Sequence, residues 1–167
     1  MRILLITRSD LNDWQTLALQ LWPTHSLEEM KMILSNILES PSEEGFLTRD
    51  DVGEAIAFMN LSLRYDYVPG ATKSPVAYVE GVYVKEAYRK QGIATHLIRH
   101  AEQWALEKQC KELASDALIE NTDSHHFHTQ MGFQEVERVV AFIKPIQRAV
   151  DTKEVQDTRK QSGKDTM

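Results

Sequence analysis

The strongest chemical signal in the chain is Val82-Tyr83-Val84-Lys85-Glu86-Ala87-Tyr88-Arg89-Lys90-Gln91-Gly92-Ile93-Ala94. A β-rich run leads into a basic loop, and the loop opens a helix. Arg89 and Lys90 supply positive charge, while Gly92 and the small Ala94 let a ligand approach the backbone closely. Unpaired N–H groups at a helix start, with the positive end of its dipole, favour phosphate by about 0.3–1 kcal/mol per well-placed charge. The segment is therefore a candidate pyrophosphate cradle. The competing reading is an ordinary basic loop before a small-residue helix start. Neither G-x-x-x-x-G-K-[ST] nor G-x-G-x-x-G is present.

Acids form the second signal. Glu80 lies in the apolar run Val76–Val84 and Asp116 in Leu113–Leu118, and an acid inside an otherwise apolar strand needs a reason. Glu137, with Glu135 on the same face and Arg138 beside it, reads equally well as a solvated surface charge. His125, His126 and His128 fall within about one turn of a short helix, but no cysteine or H-E-x-x-H accompanies them, so no metal site is expected. Cys110 is expected to be a small packing residue, and Met30, Met32, Met59 and Met131 core filler.

The elements that must position these groups follow from periodicity. Met1–Thr7 reads as a strand, and Ser9 offers a cap for a helix with apolar positions Leu11, Trp14, Leu17, Ala18 and Leu21. Trp22-Pro23 stops it. Ser26 with Glu29 is a capping-box pattern before the stripe Leu27, Met30, Ile33, Leu34 and Ile37, and Pro41 ends that helix. Gly45–Arg49 and Glu54–Leu63 read as a hairpin around Asp50-Asp51-Val52-Gly53. A polar loop over Arg64–Ser74 precedes the Val76–Val84 strand. A helix follows from Gly92, then a strand over Leu113–Leu118, a short helix over Ser124–Met131 closed by Gly132, and a final strand over Phe133–Ile143. The order is that of a mixed α/β sheet.

With 167 residues the chain has room for one domain and a tail, and 42% hydrophobic with 26% charged residues is a globular composition. The domain is expected over residues 1–147. Residues 148–167, charged and without apolar period, read as a flexible tail or a poorly packed helix. No apolar stretch approaches the roughly 20 residues of a membrane span, and the N-terminus meets charge too early for an export signal. One cysteine excludes an internal disulfide framework, so a cytoplasmic setting is expected. The net charge of -6 argues against nucleic acid as a main partner and permits a cationic one.

Arg89-Lys90-Gln91-Gly92-Ile93-Ala94 resembles the R/Q-x-x-G-x-G/A signature of the GCN5-related N-acetyltransferase (GNAT) family, and the Asn121–Phe133 segment ending in Met131-Gly132-Phe133 agrees with it. The resemblance spans roughly Met1 to Lys144. Within the family the chain is similar to the aminoglycoside 6'-N-acetyltransferase branch through Leu21-Trp22-Pro23, Asp66-Tyr67-Val68-x-Gly70, Tyr78-Val79-Glu80-Gly81-x-Tyr83-Val84, Ala114-Ser115-Asp116 and Asn121-x-x-Ser124-x-x-x-His128-x-x-x-Gly132-Phe133.

That resemblance implies a mixed central sheet, antiparallel at the N-terminal side, splayed at an acetyl-CoA site and flanked by helices. It implies that the backbone of Val82, Tyr83 and Val84 holds the pantetheine arm of acetyl-CoA. The amides of Arg89, Lys90, Gln91, Gly92, Ile93 and Ala94 would take the pyrophosphate. Asn121 would anchor the pantetheine from the other side, unless it is a helix-capping or turn Asn. Trp22, Tyr67, Glu80, Asp116 and Glu137 would contact the aminoglycoside, a hydroxyl-rich polycation suited to carboxylates and aromatic faces. Trp22 has a competing reading as a core residue at a helix end.

The implied reaction is attack of a primary amine on the acetyl thioester. Glu80 or Asp116, directly or through water, would take the ammonium proton. A main-chain N–H near Tyr83 or Val84 would face the developing oxyanion. The family usually places a tyrosine four residues before the Gly-Phe pair to protonate the thiol, but here that position is His128. Family members commonly pair as homodimers. The alternatives are acetyl transfer to a polyamine or a protein amine, and a non-catalytic acyl-CoA-binding module.

Overall fold

A computed structural model describes residues 1–146. The charged tail expected at residues 148–167 lies outside the described residues. The elements run β1 (Arg2–Leu5), α1 (Leu11–Leu21), α2 (Leu27–Glu39), β2 (Glu43–Arg49), β3 (Ala55–Arg64), β4 (Val76–Val84), α3 (Ile93–Glu107), β5 (Leu113–Ser115) and α4 (Thr122–Gln130). The sheet order is β1-β2-β3-β4-β5. All neighbours are antiparallel except β4 and β5, whose parallel pairing requires the crossover through α3.

Alternation along β2 and β3 splits the core into two layers. Leu47, Ala55 and Phe58 pack with Trp14, Leu17, Ala18, Met30 and Leu34 under α1 and α2. Phe46, Ala57, Met59 and Leu61 face Ile93, Leu97, Ile98, Ala101 and Trp104 of α3. Each helix buries the stripe its periodicity predicts, and the sheet is covered on both faces.

The α2 capping box is present, with Ser26 accepting from the Glu29 amide and Glu29 accepting from the Ser26 amide at 2.8 Å. Ser9, expected to cap α1, does not. A 3-10 turn over Arg8–Asp10 precedes α1, and Thr7 with Asp10 makes the capping interactions there. Asp10 lies nearer the periodic stripe, so the helix start slides past Ser9. Met30 and Met59 are core residues and Cys110 is buried, as expected, but Met32 is exposed on the outer face of α2. Its position is off the i, i+3, i+4 stripe that faces the sheet.

Two strand expectations are corrected. β5 ends at Ser115, short of Leu118. Among the described residues no strand follows α4: Phe133–Ile143 runs irregularly, with Val136, Val139, Val140, Phe142 and Ile143 exposed. The physical reason is the pairing of Val139 with Val140 and of Phe142 with Ile143. Adjacent apolar residues suit a strand covered on both faces, and no second layer covers this segment within the described residues.

Candidate active site

The site grows out of an irregularity in β4. Asn60 pairs with Gly81 and Leu61 with Val79, so Glu80 is an extra residue on β4, a bulge that breaks the ladder and re-aims its side chain. The β4–β5 pairing holds only Ala77, Tyr78 and Val79 against Leu113, Ala114 and Ser115. Beyond Val79 the two strands part. Glu80 to Val84 keep β3 on one side and, among the described residues, have no strand partner on the other. Val82, Tyr83 and Val84 thus lie along an open backbone edge, which an extended amide-bearing arm could pair.

This edge leads to the start of α3. A 3-10 turn over Glu86–Tyr88 follows β4, and the Tyr88 hydroxyl donates to Asp50 at 3.1 Å, tying the turn to the β2–β3 connection. Arg89 Nε donates back to the Val84 carbonyl at 3.0 Å, and Gln91 donates to the Ala87 carbonyl at 3.1 Å. Lys90 and Gly92 have positive φ values of 59° and 80°. Gly92 is the α3 N-cap, and glycine meets that conformation without steric cost. Whereas α2 has its capping box and two first-turn acids, α3 has no side-chain cap and no acid in its first turn. The amides of Ile93 and Ala94 therefore face outward at the positive end of the dipole. Sequence reading anticipated both the loop and the helix start.

Glu80 is not a free carboxylate. Its Oε1 accepts from Ser62 Oγ at 2.5 Å and Arg64 Nε at 2.9 Å, and its Oε2 accepts from Arg64 Nη2 at 2.7 Å. Arg64 stacks on the Tyr78 ring, 3.3 Å from its centroid. Burial works to lower the Arg64 pKa, but the hydrogen bonds and charge of Glu80, with a smaller pull from Asp116, hold it above its ordinary value. The Tyr78 phenol is pushed up to about 12, first by burial and then by the charge of Asp116. Glu80 and Asp116 are brought to one cluster, with Arg64 and Tyr78 between them. Ser62, Arg64 and Tyr78 were missed in the sequence. Their signal was present: Asn60-x-Ser62-x-Arg64 puts polar groups at a spacing of two on an otherwise apolar strand.

Trp22 borders the same cluster. Its ring lies where a Gly81 Cβ would stand, 2.6 Å from that position, and 5.8 Å from the Phe58 centroid. It is half-buried and packs against the α1–α2 core layer, as its core reading expects. Tyr67 is exposed in its loop, and its hydroxyl reaches Glu137 at 3.5 Å; no bond joins this pair to Glu80. Glu135 pairs with Arg138.

His128 is held at both ring nitrogens. Nδ1 lies 2.7 Å from the Ser124 carbonyl, which can only accept, so Nδ1 carries a hydrogen. Nε2 lies 2.9 Å from Ser115 Oγ, and Ser115 Oγ reaches the Val79 carbonyl at 3.3 Å, where the strands part. Ser115 was also missed; its place is set by the parallel register. His125 Nε2 bonds the Leu118 carbonyl, and no three metal-ligating side chains converge among the described residues. Asn121 Oδ1 accepts from the Ser124 amide at 3.1 Å, capping α4. A shallow hollow at the far end of the β2–β3 hairpin, lined by Asp13, Arg49, Glu54 and Lys85, is separate; its charges close on one another.

These features have counterparts in known proteins. A family model described as the acetyltransferase (GNAT) family matches residues 8–133. The chain is 42% identical over 144 residues to the aminoglycoside N(6')-acetyltransferase type 1 of Serratia marcescens, covering 86% of this chain and 99% of that protein. It is likewise 42% identical to the Acinetobacter baumannii enzyme of that name, over 87% of this chain and 99% of the relative. Among solved structures, AAC(6')-Iy in complex with the bisubstrate analog CoA-S-monomethyl-acetylneamine superposes with TM-score 0.82 at 36% identity, covering 87% of this chain and 98% of that one. AAC(6')-Ih from Acinetobacter baumannii gives 0.82 at 40% identity, covering 87% and 99%. With a splayed sheet, an uncapped helix start and a sequence match across most of its length, this chain belongs to the GNAT acetyltransferase family.

Proposed function

We propose that the protein is an aminoglycoside 6'-N-acetyltransferase, moving an acetyl group from acetyl-CoA to the 6'-amine of the antibiotic and so conferring resistance. The observation that carries this is the Glu80–Arg64–Tyr78–Asp116 cluster beside the open β4 edge. It sets anionic and aromatic groups where a polycation would meet an acyl donor. Acetyl-CoA fits the residues present: the edge at Val82, Tyr83 and Val84 suits pantetheine amides, and the amides from Lys90 to Ala94 suit a pyrophosphate, while the Arg89 amide, expected among them, is spent on the Glu86 carbonyl at 3.1 Å. Asn121 would meet the arm through its side-chain NH2, since its side-chain oxygen is engaged in the α4 cap.

Bound there, acetyl-CoA supplies an activated acyl carbon. The amine nitrogen bonds to that carbon, the C–S bond breaks, and the sulfur leaves with its electron pair. The ammonium must first lose a proton, which Glu80 or Asp116 accepts directly or through water, and the nitrogen sheds a second proton to water as the C–S bond breaks and the neutral amide forms. We assign the return of a proton to the departing sulfur to His128, relayed through Ser115 Oγ; the chain His128–Ser115–Val79 carbonyl supports this. Trp22 offers an aromatic wall, and Tyr67 with Glu137 a further hydroxyl–carboxylate pair for the sugar rings.

We also infer a cytoplasmic homodimer with no nucleic-acid partner. The exposed apolar positions from Val136 to Ile146 support pairing with a second copy, and the acidic balance opposes binding to phosphate backbones. No helix among the described residues is long and apolar enough to cross a membrane. The test is acetyl transfer to kanamycin, tobramycin, spermidine and a lysine peptide, with the product position read by NMR. Acetylation at the 6'-nitrogen supports the assignment. Turnover with peptide alone refutes it.

A further inference from the structure

Glu80 leaves β4 at the bulge and meets the polar row of β3. A carboxylate has about four lone-pair positions. Ser62 Oγ and Arg64 Nε occupy both on Oε1, and Arg64 Nη2 occupies one on Oε2. One position on Oε2 remains. The guanidinium that sets this count is itself held, because its central carbon sits 3.3 Å over the centroid of the Tyr78 ring, and Tyr78 is only 5% exposed.

The chemistry of this arrangement is particular to arginine. A planar fork donates two parallel hydrogen bonds and stacks on an aromatic face, whereas a lysine ammonium is a point charge on a flexible stem. The fork fixes the plane of the Glu80 carboxylate, not merely its charge. Arg64 pairs with Glu80 at 2.7 Å, so one of the two acids in the cluster already has a cationic partner.

We propose that Arg64 is a positioning residue for the acceptor amine: its fork holds Glu80 in one orientation and leaves a single acceptor position, on Oε2, for the incoming ammonium. This rests on the reading of the chain as an aminoglycoside acetyltransferase. It assigns Glu80 a directional role that a free carboxylate would not have, and it makes Ser62 the second support of the same group.

The test compares Arg64→Met, Arg64→Lys and Ser62→Ala, each alone and combined with Glu80→Gln, in the full chain. Kinetics with kanamycin and calorimetric titration with CoA are measured for every variant. Arg64→Met keeps the apolar stem over Tyr78 but loses the fork. It should lower kcat/KM for kanamycin at least about tenfold, since a misplaced reacting group costs up to about a hundredfold. Arg64→Lys should lose nearly as much, and Ser62→Ala a smaller factor. CoA affinity should stay within about twofold, and in the Glu80→Gln background Arg64→Met should add little, because nothing remains to be oriented.

Wild-type kinetics in Arg64→Met, full rescue by Arg64→Lys, equal losses toward both substrates, or additive losses in the double variant would each overturn the positioning role. A wild-type protein that binds CoA yet neither binds nor acetylates kanamycin would refute the aminoglycoside reading itself, and this proposal with it. A functional wild type with an unaffected Arg64 variant refutes only the proposal.

Discussion

Gly81→Ala is a small change with a large expected effect, because Gly81 is the floor on which Trp22 rests. A Cβ there would lie 2.6 and 2.7 Å from two carbons of the Trp22 ring and 3.0 Å from Leu21. The optimum for carbon–carbon contact is about 3.5 Å, so the shortfall is close to 0.9 Å. An indole is rigid and cannot yield at its tip; the whole ring must shift by about that distance, or β4 must. Trp22 also leans on Phe58, 5.8 Å between centroids, so the shift propagates into the α1 layer. Overpacking of this kind costs about 1–3 kcal/mol. For a chain of this size that lowers Tm by roughly 2–4 °C per kcal/mol, readable by differential scanning fluorimetry. Because Glu80 adjoins Gly81, steady-state kinetics should show a raised KM for kanamycin while CoA affinity is retained. An unchanged Tm together with unchanged KM for kanamycin would refute both the contact and the role of Trp22 as a wall of the site.

Gly92→Asp places a negative charge among the free amides of the α3 start and should weaken CoA binding about tenfold relative to Gly92→Asn, which has the same shape; equal affinities in calorimetry would count against the cradle. Ser115→Ala removes the bridge between His128 and the Val79 carbonyl and should lower kcat with kanamycin while KM changes little, whereas a wild-type kcat would remove His128 from the proton path. Tyr78 should ionise late: with its phenol raised to about 12 from 10.0, the unfolded chain releases that proton first, so stability falls as pH rises from 10 towards 12. An ultraviolet titration of Tyr78→Phe should lose this late step, and a wild type without it would contradict the burial of Tyr78. Asp10 behaves oppositely. Burial raises its pKa, but hydrogen bonds from Arg49 and Thr7 outweigh this and hold it below 3.8, so its contribution is present above that value and is lost as pH falls beneath it. Asp10→Asn should therefore flatten the acid limb of Tm against pH; an unaltered limb would rule that out.

Much of this protein can be read along the chain because its signals are local. The β4 boundaries, the α2 capping box and the loop from Arg89 to Gly92 each depend on residues within a few positions of one another. Period, cap chemistry and a small residue at a helix start are properties of short segments, so composition and spacing determine them. Glu80 was legible for a related reason, since a carboxylate in an apolar strand is conspicuous wherever that strand is placed, whereas Asp116 lies just past the end of β5.

Only the tertiary structure decided what each group faces. Arg64 and Glu80 are separated by 16 residues and meet because a bulge at Glu80 offsets the β3–β4 register. Ser115 reaches His128 through the parallel pairing of β5, and the apolar run after Phe133 forms no strand within the described residues, where no second layer covers its adjacent apolar pairs. Pairing register and available cover are properties of the whole sheet. A one-residue change in register reverses the face a side chain takes, and no local pattern encodes that choice alone.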